Sequence, residues 1–319
     1  MTLDQLRVFV AVAECQHMTR AAETLHMAQS AVSSAVAALE SRHAVRLFHR
    51  VGRRIELTDT GTLFLPEARA VLARAQSAEL MLVETGGLLR GCLPVQASQT
   101  VGSYWLPRHI VAFRHLYPRI DLRLGIGNTA QVAGAVRAGT AELGFVEGLV
   151  ADPALDSAVV AHDQLVLVVG DSHPWVGRDA LSRRDLAGAD WVLRERGSGT
   201  RATLEAALGR LGIAPDTLLR SLELPSNEAV RAAVEAGAGA TVISASVAAP
   251  SLEAGLLHQV PMDLPVREFR ALHHRERHPS RAAEALLAVM GAALPPAIPV
   301  ADRRILELSS TNITCAKSL

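Results

Sequence analysis

Two groups of residues have the types and spacing to do chemistry, and in both the chemistry is recognition rather than bond-making. The first lies near the N-terminus. Between Ser41 and Ile55 stand Arg42, Arg46, Arg50, Arg53 and Arg54, with His43 and His49 and no acid. Guanidinium groups neutralise phosphates and give salt-dependent affinity for nucleic acid of any sequence. Just before this run, Gln29, Ser30, Ser33 and Ser34 form a small polar helix face. A glutamine carboxamide bonds adenine bidentately in the major groove, and serine hydroxyls reach phosphates or base edges. Gln29 is therefore the expected base reader. Ser30, Ser33, Ser34, Thr19, Arg50, Arg53 and Arg54 complete the expected double-stranded DNA contact set, the arginines positioning the protein on the backbone or minor groove.

The second group is three strand ends that each open a helix: Ser98-Gln99-Thr100, Gly127-Asn128-Thr129 and Gly197-Ser198-Gly199-Thr200-Arg201. Free N–H groups at helix N-termini, hydroxyls and an arginine together bind anions. The competing reading makes Ser98, Thr129 and Thr200 ordinary helix caps. Three such motifs at strand C-termini, where open α/β sheets bind ligands, favour a small, anionic effector. Its expected contacts are Ser98, Gln99, Thr100, Gly127, Asn128, Glu147, Ser198, Gly199, Thr200 and Arg201.

Other chemistry is excluded or disfavoured. The sole lysine is Lys317, so neither a P-loop nor a lysine Schiff-base site is expected. Gly125-Ile126-Gly127-Asn128-Thr129-Ala130 matches G-x-G-x-x-A, with Glu147 about 20 residues on. An NAD-dependent oxidoreductase using Gly125–Ala130 is thus the rival reading, but the motif stands alone mid-chain. His273-His274-x-Glu276-x-His278 is crowded by Arg270, Arg275, Arg277 and Arg281, which opposes a metal cation. No G-x-S-x-G occurs. We expect no catalytic residues, metal or cofactor. Cys15, Cys92 and Cys315 are too scattered for a disulfide framework, no signal peptide or membrane span is evident, and a cytoplasmic protein is expected.

The 319 residues carry 32 basic and 32 acidic side chains. The zero sum conceals a basic patch at 42–54 and an acidic stretch from 138 to 163 containing Glu142, Glu147, Asp152, Asp156 and Asp163. With 49% hydrophobic but only 3% aromatic residues, sizeable cores must be aliphatic, and an aromatic platform for single strands is disfavoured.

The elements that position these groups follow from periodicity. Thr2 and Gln5 have capping-box spacing ahead of a helix burying Leu6, Phe9, Val10 and Ala13. Thr19 is the expected N-cap of a short second helix. His26-Met27-Ala28 makes a turn, and a third helix buries Val32, Ala35, Val36 and Leu39. This is helix-turn-helix patterning, followed by a two-stranded wing around Gly52. Thr58 or Asp59 caps a long helix running to about Leu89, bent by Pro66, whose Leu65, Ala68, Leu72, Ala75 and Leu82 recur at sevens and imply a partner helix. From Leu93 strands at 93–97, 120–126, 142–147, 164–169, 190–193, 220–224, 240–243 and 266–272 alternate with helices at 103–116, 129–138, 200–210, 227–236 and 281–290. This alternation predicts mostly parallel sheets in two α/β subdomains.

The segment Phe9…Glu14…Thr19-Arg20-Ala21-Ala22…Leu25…Gln29-Ser30-Ala31-Val32-Ser33…Leu39-Glu40…Leu47-Phe48-His49-Arg50…Arg53…Leu57-Thr58…Gly61 resembles the winged helix-turn-helix of LysR-type transcriptional regulators. Leu106-Pro107, Glu142-Leu143-Gly144…Glu147-Gly148 and His173-Pro174 extend the resemblance, in order, to about residue 293. Departures are Cys15 for a small residue, Ser34 and Ala35 where Arg and Gln are frequent, and Ala44-Val45 near a usual glycine. With few long base readers, DNA shape and bridging water carry more of the specificity. The resemblance implies a winged domain at 1–58, a linker helix at 59–89, and an effector region at 90–294 made of subdomains 90–163 plus 265–294 and 164–264, like a periplasmic binding protein. Residues 295–319 read as a flexible tail. It further implies a homodimer or homotetramer, an effector in the interdomain cleft lined by the first and third strand-end motifs, and RNA polymerase as a further partner. A solute-binding protein is the remaining alternative, disfavoured by the arginine-rich N-terminal region.

Overall fold

A computed structural model describes residues 1–51, 54–84 and 91–292. The chain forms two compact units, one running from Met1 through the long helix and one containing two five-stranded sheets.

In the first unit, α1 (Leu3–Cys15) starts in a capping box. Thr2 Oγ1 accepts from the Gln5 N–H at 3.2 Å and Gln5 Oε1 accepts from the Thr2 N–H at 3.0 Å. Helices α2 (Met18–Thr24) and α3 (Gln29–His43) follow, then strands β1 (Phe48–Val51) and β2 (Arg54–Leu57), paired antiparallel with Phe48 opposite Leu57. The core joins Leu6, Phe9, Val12, Val32, Val36 and Leu39 to Leu47 and Phe48. Phe9 packs its ring 5.3 Å from that of Phe48 and 5.0 Å from that of Phe64. One expectation changes here. Thr19 does not cap α2: His17 holds the cap position without a side-chain bond, and Thr19 is already inside the helix and exposed. The cause is the left-handed Gln16 that closes α1, which leaves one residue before α2 begins. Helix α4 (Asp59–Glu84) is capped by Thr58, whose Oγ1 accepts from the Gly61 N–H at 3.0 Å, and Pro66 lies within it. The expected end of this helix near Leu89 falls outside the described residues, as do Gly52, Arg53 and the tail at 295–319.

In the second unit, one sheet has the order β4-β3-β5-β12-β6, from β3 (Gly91–Ser98), β4 (Ile120–Gly127), β5 (Leu143–Glu147), β6 (Leu155–Asp163) and β12 (Arg267–His274). The other has the order β11-β7-β10-β8-β9, from β7 (Leu165–Gly170), β8 (Asp190–Arg194), β9 (Leu219–Leu224), β10 (Ala240–Ser244) and β11 (Leu257–Val260). The chain passes between them twice, at Gln164 and along 261–266. Helices α5 (Leu106–Leu116, entered through a π-helical turn at Val101–Trp105), α6 (Thr129–Ala138) and α11 (Arg281–Val289) belong with the first sheet in chain order. Between the strands of the second sheet run α7 (Arg183–Gly188), α8 (Gly199–Arg210), α9 (Asn227–Glu235) and α10 (Ala245–Glu253). The second sheet is buried on both faces: along β7, Leu165, Leu167 and Val169 enter one core while Val166 and Val168 enter another. That is why Leu165–Gly170 reads as a continuous apolar run.

The sheets are mixed rather than mostly parallel. In each, antiparallel pairs arise where β12 lies against β5 and β6, and where β7 lies against β10 and β11. The strand that follows each crossing, β7 in one sheet and β12 in the other, runs opposite to its neighbours, so parallel βαβ units alone cannot build either sheet.

Candidate functional site

On the first unit, Gln29 and Ser30 open α3, preceded by Ala28 at the cap with no side-chain bond. Gln29, Ser30 and Ser34 are exposed and Ser33 is half-buried. Gln29 Nε2 donates to Ser33 Oγ at 3.0 Å, which holds the carboxamide along the helix. Thr19 is exposed on α2. Arg50 and Arg54 occupy the paired wing strands, Arg50 opposite Ile55 and Arg54 opposite Val51, while Arg53 lies outside the described residues. One structural residue escaped attention as such. Glu40 is 8% exposed, and its Oε1 accepts from the N–H groups of Leu47 at 2.7 Å and Phe48 at 3.1 Å. Its Oε2 accepts from Arg46 Nη1 at 3.3 Å. The signal was its position, since Glu40 continues the stripe of Val32 and Val36, where an acid is out of place unless bonded.

On the second unit, the three strand-end motifs face elements of the opposite sheet, and the cleft between the sheets is closed by direct hydrogen bonds. Gln99 Oε1 accepts from the Asn227 N–H at 2.6 Å, and Thr100 Oγ1 accepts from Asn227 Nδ2 at 3.0 Å. Arg194 donates to the Asn227 carbonyl oxygen Oδ1. Glu228 accepts from Gln99 Nε2 at 3.2 Å and from the Tyr104 hydroxyl at 3.1 Å. Burial, then the adjacent Glu228 carboxylate, push the Tyr104 pKa up. On the opposite flank, Asn128 Nδ2 donates to Glu195 Oε1 at 3.2 Å, and the Ala130 N–H donates to the Gly197 carbonyl at 3.2 Å. Burial opposes charge on Glu195, but bonds and charge from Arg194 prevail and hold its carboxyl below the ordinary value.

The glycines of Gly197-Ser198-Gly199 fit this closure. Gly197 has φ +90°, and a Cβ there would lie 3.1 Å from Ala130 Cβ. A Cβ on Gly199 would lie 2.9 Å from Thr129 Oγ1 and 3.0 Å from the Glu147 carbonyl oxygen. Gly127 closes β4, its hypothetical Cβ 3.0 Å from Gln131 Oε1. Beside this junction is a cavity of about 520 Å³ lined by Thr129, Glu147, Leu149, Ser198, Gly199 and Arg267 among others. Glu147 is buried and accepts from Thr129 Oγ1 at 3.1 Å. Arg201 also lines the cavity, but its guanidinium is bonded to Glu205 at 2.7 Å, to the Arg194 carbonyl at 2.9 Å and to Glu223. Thr200 Oγ1 accepts from Arg267 Nη1 at 2.9 Å. Ser98 is buried at the end of β3, and its Oγ has no hydrogen-bond partner.

The residues so assembled include three that motif reading passed over: Arg194, Asn227 and Arg267. Asn227 was legible in principle, because Leu224-Pro225-Ser226-Asn227 repeats the strand-end, helix-start arrangement of the other motifs, with Ser226 Oγ accepting from the Ala229 N–H at 3.0 Å. The G-x-G-x-x-A match has a packing explanation. Gly125 lies on edge strand β4 opposite Gln96, whose amide lies where a Cβ would project. A dinucleotide site needs the switch point between central strands, not an edge. His273 is buried in β12, and its burial pushes the pKa down.

A winged helix-turn-helix in one unit and a two-sheet cleft with convergent polar groups in the other define a DNA-binding regulator that answers to a small molecule. Residues 3–62 match the bacterial regulatory helix-turn-helix protein, lysR family, and residues 86–295 match the LysR substrate binding domain. The chain belongs to the LysR family of transcriptional regulators. It is 37% identical over 284 residues to the HTH-type transcriptional regulator YeiE of Escherichia coli, covering 88% of this chain and 94% of that one. It is 33% identical over 269 residues to the HTH-type transcriptional regulator CysL of Bacillus subtilis, covering 84% and 88%. Among solved structures, full-length CbnR complexed with its target DNA is similar with a TM-score of 0.64 and 26% identity, covering 91% of this chain and 98% of that one. A full-length OxyR variant from Pseudomonas aeruginosa, at 23% identity, shares the fold with a TM-score of 0.66 over 94% and 99%. The domains and relatives are those of a regulator, not of an enzyme. No helix among the described residues is long and apolar enough to cross a membrane.

Proposed function

We propose that this regulator binds operator DNA through Gln29, Ser30, Ser33, Ser34 and Thr19 on the helix-turn-helix and through Arg50, Arg53 and Arg54 on the wing, and that a small anionic effector in the cleft between the two sheets sets that binding. The domain limits are those given above: 1–58, 59–89, and 90–294 with subdomains 90–163 plus 265–294 and 164–264. The protein acts in the cytoplasm as a homodimer or homotetramer, with RNA polymerase as the further partner on the promoter.

The observation that carries the effector reading is the start of α8. Ser198 holds its cap position without a side-chain bond, and Gly199, Thr200 and Arg201 follow at its positive end beside the cavity. Helix N-termini favour anions through their free N–H groups and dipole. Ser98, Gln99, Thr100, Gly127 and Asn128 belong to the closing face, and Glu147 lines the cavity as an acceptor for an effector's own hydrogen-bond donor. The ligand shifts the subdomain equilibrium only through its differential affinity for the closed arrangement.

The test is isothermal titration of the full-length protein with sodium sulfate, inorganic phosphate and malonate at ionic strength held constant with sodium chloride. Saturable binding of at least one of the three supports an anionic effector. Exclusive response to neutral or cationic small molecules overturns it.

A further inference from the structure

Arg267 is buried at the junction of the two sheets, and its guanidinium ties together elements that the cleft must bring close. It opens β12 immediately after the second crossing between the sheets, and its side chain is 3% exposed. Its Nε donates to Asp163 Oδ2 at 2.6 Å and its Nη1 to Thr200 Oγ1 at 2.9 Å. Asp163 closes β6 at the first crossing, and its Oδ1 accepts from Ser244 Oγ, at the end of β10, at 2.7 Å. One ion pair therefore joins both crossings of the chain, the end of β10 and the start of α8. The remaining nitrogen, Nη2, is shielded from solvent and has no hydrogen-bond partner. Native proteins rarely leave a buried charged donor unbonded, because its hydration is lost with nothing in exchange. Asp163 balances the charge of Arg267 but does not reach Nη2. Arg267 also lines the cavity shared with Thr129, Ser198 and Gly199, so its side chain borders space that a bound acceptor can enter.

Resting on the anionic-effector reading above, we propose that Arg267 is the charge-reading residue of the site: a carboxylate or a sulfur or phosphorus oxyanion accepts from Nη2, with the N–H groups at the start of α8 completing the contact. The same guanidinium bonds Thr200 across the two sheets. The oxyanion thus meets its full set of donors only in the closed arrangement, which gives it the differential affinity that a shift in population requires. Arginine is suited to this because three bonds in different directions leave from one rigid plane, and lysine is not.

The experiment uses the full-length protein, with sulfate, inorganic phosphate and malonate titrated at constant ionic strength and read by calorimetry and by thermal unfolding. Arg267→Lys keeps a cation for Asp163 and removes the free prong. Arg267→Met combined with Asp163→Asn removes the ion pair as a unit and leaves no lone buried carboxylate. With far-ultraviolet circular dichroism showing the variants folded, the wild type binds at least one oxyanion and the variants bind it roughly tenfold to a hundredfold more weakly. Unchanged affinity in folded variants overturns the role of Arg267 and leaves the anionic effector standing. No saturable response of the wild type to any of the three removes the anionic reading and the Arg267 assignment with it. A wild-type crystal soaked in selenate needs no variant: anomalous density within hydrogen-bond reach of Nη2 supports the assignment, and density elsewhere in the cleft overturns it.

Discussion

Gly199, at the first turn of α8, approaches Glu147, at the end of β5, so closely that a Cβ on the glycine would lie 3.0 Å from the Glu147 carbonyl oxygen. Helix α8 connects strands of one sheet and β5 belongs to the other, so the contact exists only while the cleft is closed. Backbone cannot give way as a flexible side chain can, and Gly199→Ala is expected to hold the cleft ajar. Small-angle scattering of the variant should report a larger effector unit, and oxyanion affinity should fall about tenfold, equivalent to about 1.4 kcal/mol. Gly209→Ala is the control. It lies in the same helix with nothing within 4 Å of its added Cβ, and should stabilise the protein by up to about 1 kcal/mol through helix propensity. Equal effects of the two substitutions would remove Gly199 from the closing mechanism.

Much of this arrangement was legible before any coordinates. The helix-turn-helix showed itself because capping at Thr2 and the stripes Leu6–Phe9 and Val32–Val36–Leu39 are local signals. The strand-end motifs showed themselves because each joins a strand to a helix in adjacent sequence. The ties across the cleft did not. Arg267 and Asp163 are far apart in sequence, and neither belongs to a motif; they meet because the chain crosses between the sheets twice. Two edge strands were missed for a related reason: β6 is only half-buried along most of its length and lacks clean alternation, and β11 is only four residues long. Helix α10 hid behind Pro250, which sits six positions into an otherwise alanine-rich stretch.

Glu40 fixes the link from the recognition helix to the wing by accepting two backbone N–H groups at Leu47 and Phe48. In Glu40→Ala both donors remain in a largely buried place without their acceptor. The winged unit should lose about 1–3 kcal/mol. Glu40→Gln retains one acceptor oxygen and should recover most of that. Chemical denaturation of the full chain, followed by a probe placed in the N-terminal unit, measures the difference. Parity between the alanine and glutamine variants would show that the bonds are incidental to the wing.

DNA contacts divide by what they read. Gln29→Ala removes the one long base reader of α3 and should flatten the preference between operator and scrambled duplex while the slope of log affinity against log salt stays put. Arg50→Ala should weaken operator and scrambled duplex alike and reduce that slope by about 1. Fluorescence anisotropy with both duplexes over a range of salt concentrations separates the two. If Gln29→Ala instead lowers both affinities equally, its role is positioning, and the reading of bases passes to DNA shape. Ser33 provides a further check, because Gln29 donates to its hydroxyl at 3.0 Å. Ser33→Ala frees the carboxamide to take other rotamers, so it should lower discrimination by less than Gln29→Ala does.

Acid should weaken the effector unit in two successive windows. Burial holds the His273 pKa below its ordinary value of 6.5, so the folded state keeps this imidazole neutral while the unfolded chain takes up a proton. The unfolded state then binds more protons, and stability falls as pH drops below about 6.5 until the folded-state pKa is passed. Glu195 acts lower on the scale. Although burial opposes its charge, Arg194 holds its carboxyl below the ordinary 4.5, so the stabilisation it brings is complete above that pH and is lost as pH falls through the folded-state value. The expected thermal midpoint therefore declines gently from pH 7 to 5 and more steeply below 4.5. His273→Gln should flatten the first decline and leave the second, whereas Glu195→Gln should do the reverse. Thermal scans of the two variants and the wild type across this range check the assignment, and a first decline that survives His273→Gln unchanged would pass it to His109 or His173, which burial also holds below their ordinary pKa.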